Sequence, residues 1–122
     1  MLKQYVIVPK SIKMSPGKIA SQVAHATFMA LEKENRALIN RWKHGGMCVI
    51  VLECKDNEQL RNTDSYLISW NIIHHLYIDE GLTEVDPMTP TVLATGILDE
   101  EDQWMFSQFK MYKERYLLKI IY

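Results

Sequence analysis

Apolar residues fall along this chain in short continuous runs that alternate with stretches repeating every three to four positions. Gln4-Tyr5-Val6-Ile7-Val8-Pro9 reads as a buried strand, followed by a polar loop over residues 10 to 14. Ser15-Pro16 then starts a helix, because serine supplies a side-chain oxygen for orphan amides and proline fits the first helical position. That helix is predicted over residues 16 to about 34, with Ile19, Val23, Ala26 and Ala30 on the face that packs against a sheet. A second short helix over 35 to 43 is stopped by Gly45-Gly46. Next come an apolar strand over 47 to 53, a helix over about 57 to 70 and another apolar strand over 72 to 78. Residues 79 to 90 hold Gly81, Pro87 and Pro90 and form a long turn. The pattern closes with a strand over 91 to 96, a helix from 99 to about 112, and an apolar tail over 116 to 122 able to form an extra strand.

Strands alternating with helices predict an α/β fold whose sheet is covered on both faces. We expect one domain over residues 1 to 122, a three-layer α/β/α sandwich with a mixed sheet of about four strands, a length that suits one core. The turn over 79 to 90 stands apart, since twelve structureless residues are uncommon in a compact domain and such loops often carry function.

Composition narrows the class. No apolar run approaches the roughly 18 residues needed to span a bilayer, and Met1-Leu2-Lys3-Gln4 leads into a strand without a signal-peptide pattern. A cytoplasmic protein with no membrane partner is therefore expected. The formal charge of -1 conceals an uneven distribution: residues 1 to 43 carry net +6, 44 to 109 net -10 and 110 to 122 net +3. A basic amino-terminal third suits phosphate, whereas the acidic middle repels it unless the fold turns it away. Cys48 and Cys54 share strand parity and sit too far apart for an unstrained bridge, which makes them buried thiols. Trp42, Trp70 and Trp104 stand beside helix ends, where tryptophan closes a core. His74-His75, adjacent in a strand, face opposite sides and cannot readily share a metal.

Within the first helix, Lys18, Gln22 and His25 stand at i, i+4 and i+7, within roughly 60° of one another, so they can reach one ligand together. Lys18 breaks a local rule: three residues after an N-cap the usual residue is Glu or Gln, and a cation there opposes the helix dipole. A cation added to free helix amides makes an anion site. The plainer alternative is that Lys18 extends to solvent and His25 is an ordinary partly buried histidine.

The run Lys13-Met14-Ser15-Pro16-Gly17-Lys18-Ile19-Ala20-Ser21-Gln22-Val23-Ala24-His25-Ala26 decides between them. It resembles the amino-terminal signature of the second, archaeal and eukaryotic-type, family of peptidyl-tRNA hydrolases: a Lys-Met pair, then Gly-Lys-Ile-Ala-x-Gln-x-x-His-Ala. Asp79-Glu80-Gly81-Leu82-Thr83-Glu84 and Thr91-Val92-Leu93-Ala94-Thr95-Gly96 are similar to that family's second segment. The resemblance implies hydrolysis of the ester of peptidyl-tRNA, with Lys18, Asp79 and Thr91 at the catalytic positions and Gln22, His25, Thr83 and Lys13 at the substrate. It implies no cofactor and no metal, peptidyl-tRNA as partner, and a homodimer. The ester is already activated, so the enzyme has to position a water, accept its proton and stabilise an oxyanion. Asp79 serves to orient the water or take its proton, Lys18 to hold the carboxylate and the developing charge, and Thr91 to donate a hydrogen bond. His25 is an alternative base, imidazole being the side chain that ordinarily titrates near neutral pH.

Four positions depart from the family: Glu80 replaces an Ala, Leu82 a commonly basic residue, Glu84 a Gln and Met88 a Gly. Three of them make the loop more acidic beside a site meant for a polyanion. The second reading is therefore a non-catalytic relative that uses the loop to bind protein or RNA. A cleft joining Lys18, Asp79 and Thr91, rimmed by Lys10, Lys13 and Arg36, favours the enzyme; an acidic wall of Glu80, Glu84 and Asp86 across it favours the binding module.

Overall fold

A computed structural model describes residues 1–113. Strand β1 (Lys3–Pro9) is followed by helices α1 (Pro16–Glu32) and α2 (Arg36–His44), strand β2 (Cys48–Cys54), helix α3 (Asn57–Ser69), and strands β3 (His74–Asp79) and β4 (Thr89–Leu98). The described residues close with a one-turn helix α4 (Glu100–Gln103), a 3-10 turn (Trp104–Phe106) and a short strand β5 (Lys110–Met111). The five strands lie in the order β3-β4-β1-β2-β5, parallel only between β1 and β2, so the sheet is mixed.

Strict alternation divides β1 between two cores. Val6 and Val8 face α1 and pack with Ala26, Ala30, Val92 and Ala94, while Tyr5 and Ile7 face α3 and the 3-10 turn and pack with Leu60, Leu67, Met105 and Phe106. Helices on both faces of one sheet make the three-layer α/β/α sandwich expected, with a fifth strand added. Ile19, Val23, Ala26 and Ala30 supply the sheet-facing side of α1, as their spacing predicts. No helix among the described residues is long and apolar enough to cross a membrane.

Three expectations are corrected. The helix over 99 to about 112 stops after one turn, because Met105 and Phe106 are drawn into the core under α3 and the chain then returns along β2 as β5, with Met111 opposite Leu52. Of the tryptophans, only Trp42 closes the core; its Nε1 donates to the Cys48 carbonyl at 2.9 Å. Trp70 and Trp104 are 53% and 55% exposed and meet edge to face at the surface. Both cysteines are free thiols, Cys54 buried as expected but Cys48, the first residue of β2, only half so. Burial pushes the Cys54 thiol up to about 12. The histidine pair does face opposite ways: His74 pairs with Asp64 of α3, and His75 meets Lys33 at the end of α1. The apolar segment 116–122 lies outside the described residues.

Candidate active site

β3 and β4 pair antiparallel at one end of the sheet, and α1 crosses their face. Tyr77 pairs with Val92 while Ile78 pairs with Pro90, so β4 carries one extra residue, Thr91, in a bulge. Pro90 has no amide hydrogen and sits where the ladder is already interrupted. Strict alternation would send Thr91 to the face of Leu93, away from α1. The bulge leaves it beside Gln22.

Three donors converge on the carboxylate of Asp79, the last residue of β3, and a fourth group, Thr91, holds one of them. Lys18 Nζ donates to Oδ1 at 2.9 Å and Gln22 Nε2 to the same oxygen at 3.0 Å. Gln22 Nε2 also donates to Thr91 Oγ1 at 2.7 Å, and the Gly81 amide donates to Asp79 Oδ2 at 2.7 Å. An ionised carboxylate only accepts, so Gln22 must present its NH₂ group here, and both of its N–H bonds are engaged. Gln22 and Thr91 are fully buried, whereas the Lys18 and Asp79 side chains retain 11% and 8% of their exposure. The pair is thus nearly dry yet touches the surface.

The hydrogen bond from Lys18 is the main reason that the Asp79 carboxyl lies below its ordinary value; burial opposes it, and the Gly81 amide, the Lys18 charge and Gln22 assist. Asp79 is therefore ionised at neutral pH and a weak base. A carboxyl whose pKa is lowered by folding contributes stability that is complete above its unfolded value, about 4, and is lost as pH falls through the lower folded value. Acid unfolding followed by circular dichroism will accordingly steepen below about pH 4 in the wild type, and Asp79→Asn will remove that component.

The start of α1 explains the cation three residues after its cap. Ser15 is the N-cap, its Oγ accepting from the Lys18 amide at 3.2 Å, and Pro16 opens the first turn. In an ordinary capping box the third residue would be Glu, reaching back to the cap amide. Here Glu84 of the loop does this from outside the helix: its two oxygens accept the Ser15 amide at 2.7 Å and the Ser15 hydroxyl at 2.6 Å. The third position is released for Lys18, and the loop is tied down over the helix start. These bonds from Ser15 hold the Glu84 carboxyl below its ordinary value. Glu84 is thereby fixed onto Ser15, and these neutral donors leave its negative charge in place.

The loop closes tightly on itself. The Met88 amide donates to the Asp79 carbonyl at 2.8 Å, and Gly81 turns at φ +78°, close against Pro87. Met88, where the resemblance has Gly, stands at φ +63°, a left-handed conformation that costs an L-residue about 1–2 kcal/mol. Met88→Gly will relieve that strain at some entropic cost in the unfolded chain, raising stability by about 0.5–1 kcal/mol. Thermal unfolding will show it as a rise of roughly 2–6 °C in Tm.

The remaining sequence-predicted residues are not joined to this cluster by side-chain hydrogen bonds. His25 stacks on Tyr77 with ring centroids 4.9 Å apart, and its Nε2 lies 3.3 Å from Ser21 Oγ. Thr83 and Lys13 are exposed. Lys10 leans the other way, over the Tyr112 ring and onto the Lys113 carbonyl, and Arg36 lies beyond the far end of α1, so neither rims the pair. Sequence reasoning passed over the Gly81 amide and Glu84. The first had a signal, because Asp-x-Gly is the spacing of a side-chain turn onto the backbone two residues on. The second had none, the contact spanning 69 residues.

Among the described residues no group of three or more His, Cys, Asp or Glu is placed to hold a metal ion. The hollow between α3 and the 3-10 turn, lined by Tyr66, Leu67, Met105, Phe106 and Phe109, lies on the opposite face of the sheet from Asp79.

A family model described as peptidyl-tRNA hydrolase PTH2 matches residues 2–112. A protein of Methanopyrus kandleri named peptidyl-tRNA hydrolase is 38% identical over 104 residues, 84% of this chain and 90% of its own. Proteins of the same name from Thermoplasma acidophilum and Thermococcus onnurineus are 35% and 34% identical; the alignments cover 83% and 81% of this chain and 90% and 86% of theirs.

Proposed function

The chain belongs to the peptidyl-tRNA hydrolase PTH2 family, and we propose on that premise that it hydrolyses the ester of peptidyl-tRNA, releasing tRNA and peptide, with Lys18 and Asp79 at the reacting atoms. The observation that carries this reading is the nearly buried Lys18–Asp79 pair, held at 2.9 Å and braced by Gln22 and Thr91.

Lone-pair accounting supports distinct roles. Asp79 Oδ1 already accepts from Lys18 and Gln22, whereas among the described residues Oδ2 accepts only from Gly81, leaving one acceptor site for a water. A water donating there is oriented for attack on the ester carbonyl. Asp79, its carboxyl held below the ordinary value, does not retain the proton: it orients the water, and the proton released on attack passes to the departing ribose oxygen as the ester bond breaks. Lys18 retains two N–H bonds beyond the one to Asp79, and these suit the oxyanion that develops on the carbonyl oxygen. Thr91, wholly buried, acts through Gln22, whose amide it holds against Asp79. Thr83 and Lys13, exposed on the loop and before α1, remain candidates for the tRNA rather than for the ester. No covalent intermediate is needed.

Residues 1 to 122 are taken as one domain acting in the cytoplasm, and a homodimer is the assembly that the family resemblance implies; light scattering on the full chain tests the latter. The reading as a whole is tested by release of an N-acetylated amino acid from charged tRNA, with unblocked aminoacyl-tRNA as the control. Release from the blocked substrate alone is expected. Absence of release by folded protein across a range of salt would return the loop to the role of a binding surface.

A further inference from the structure

Three contacts line up along the seam where α1 crosses β3. Lys18 meets Asp79; the His25 ring stacks on Tyr77, planes 22° apart; and Lys33 Nζ donates to His75 Nδ1 and to the His74 carbonyl, each at 3.0 Å. The first belongs to the site already described. The other two contribute nothing to it.

Tyr77 is half-buried against the α1 core, so it gives His25 a firm backing, while His25 itself is exposed and presents its ring to solvent. Phe28, one turn further along α1, is 63% exposed. Lys33, just beyond α1, has no carboxylate within ion-pair distance among the described residues, exposed Glu32 included. Its support is an imidazole: burial, then the Lys33 charge and His74, lower the pKa of His75, which accepts at Nδ1 in its neutral form. An acceptor without charge fixes the ammonium in place and leaves its positive charge uncancelled. An exposed ring on a rigid backing is what a nucleobase stacks on, and a fixed uncancelled cation is what a phosphate needs.

We propose that this seam is the track for the single-stranded 3′ end of the tRNA. The His25 ring, backed by Tyr77, stacks a nucleobase, and Lys33, propped by His75, meets a phosphate. The proposal rests on the hydrolase reading for the position of the ester at Lys18 and Asp79. Along α1 the rise from Lys18 is about 10 Å to His25 and about 22 Å to Lys33, the reach of a few nucleotides. His25 thereby acts through its π-face, which any aromatic ring supplies, and not through its nitrogens.

The test uses a short RNA whose 3′-terminal base is 2-aminopurine, a probe whose fluorescence falls on stacking and which needs no turnover. Wild type and His25→Phe are expected to quench and bind it alike. His25→Ala should weaken binding about tenfold with the salt dependence unchanged. Lys33→Ala should lower the slope of log K against log salt by about 0.7. In hydrolysis of N-acetyl-aminoacyl-tRNA, His25→Ala should raise KM about tenfold, and His25→Phe should restore KM without a change in the pH profile.

Binding by His25→Ala equal to the wild type overturns the base contact and leaves the seam open to a protein partner. Loss of kcat with a changed pH profile in His25→Phe overturns it as well, by showing proton chemistry at the imidazole. An unchanged salt slope in Lys33→Ala overturns the phosphate contact. His25-dependent quenching without any hydrolysis would keep the track and remove the hydrolase reading. Hydrolysis without His25-dependent quenching would do the reverse.

Discussion

Asp79→Asn will lower kcat for release of N-acetylated amino acids from tRNA by about 10²–10³-fold, with KM changed only a few-fold. Three donors point at Asp79: Lys18 Nζ, Gln22 Nε2 and the Gly81 amide. A carboxamide has one oxygen to accept and an NH₂ group that also donates, so at least one of the three is left facing another donor. Lys18 loses its counter-charge, and the acceptor site proposed for the water is lost or turned. Lys18→Met removes the other half of the pair and is expected to fall by a similar factor, the two losses being far from additive because the residues work as a unit. Melting temperatures measured alongside separate this from unfolding. Activity of Asp79→Asn within fivefold of the wild type would show that the carboxylate is not at the reacting atoms.

Gly81→Ala tests whether the loop is a precision part of the site. The glycine adopts φ +78°, and a Cβ there would overlap the backbone of Pro87. The left-handed conformation alone costs an alanine about 1–2 kcal/mol, and the overlap adds to it. The cheapest relief is to move the loop, which carries the Gly81 amide away from Asp79 Oδ2 and frees the carboxylate to rotate about its remaining bonds. A misplacement near 1 Å costs about 10²-fold in rate, so kcat is expected to drop by that order while the overall fold persists. Tm should fall by roughly 4–8 °C or more. Leu82→Ala is the control, because Leu82 is exposed beside the same turn and should leave both quantities unchanged. Full activity in Gly81→Ala would mean that the bond from its amide to Asp79 is dispensable.

Two of the four departures from the family pattern, Glu84 and Met88, have a physical meaning in the structure. Glu84 supplies the acidic cap that Lys18 displaced from α1 and is engaged by Ser15, and Met88 holds with strain a conformation for which Gly is suited. Nothing in the contacts of Leu82 explains its replacing a basic residue. The loop keeps its acidic character beside the helix start, since the neutral amide and hydroxyl donors of Ser15 fix the Glu84 carboxylate without cancelling its charge.

The order of strands and helices as far as β4, the sheet-facing side of α1 and the cap at Ser15 were legible along the chain, because each follows from the period or chemistry of residues close in sequence. Lys18 and Gln22 were legible as a pair for the same reason, standing one helical turn apart. His25 shares their stripe but not their partners: it reaches Tyr77, and only the crossing of α1 over β3 decides that. Thr91 shows the limit most clearly. Its parity along the chain sends it to the wrong face of the sheet, and the bulge opposite Tyr77 and Ile78 turns it back towards Gln22. The short α4 and the surface position of Trp70 and Trp104 are of the same kind, set by Met105 and Phe106 packing beneath a helix some forty residues earlier. Local spacing determines which side of an element a residue occupies; strand register, bulges and loop closures depend on pairing between distant segments, and those alone brought Lys18, Gln22, Asp79, Gly81 and Thr91 to one place.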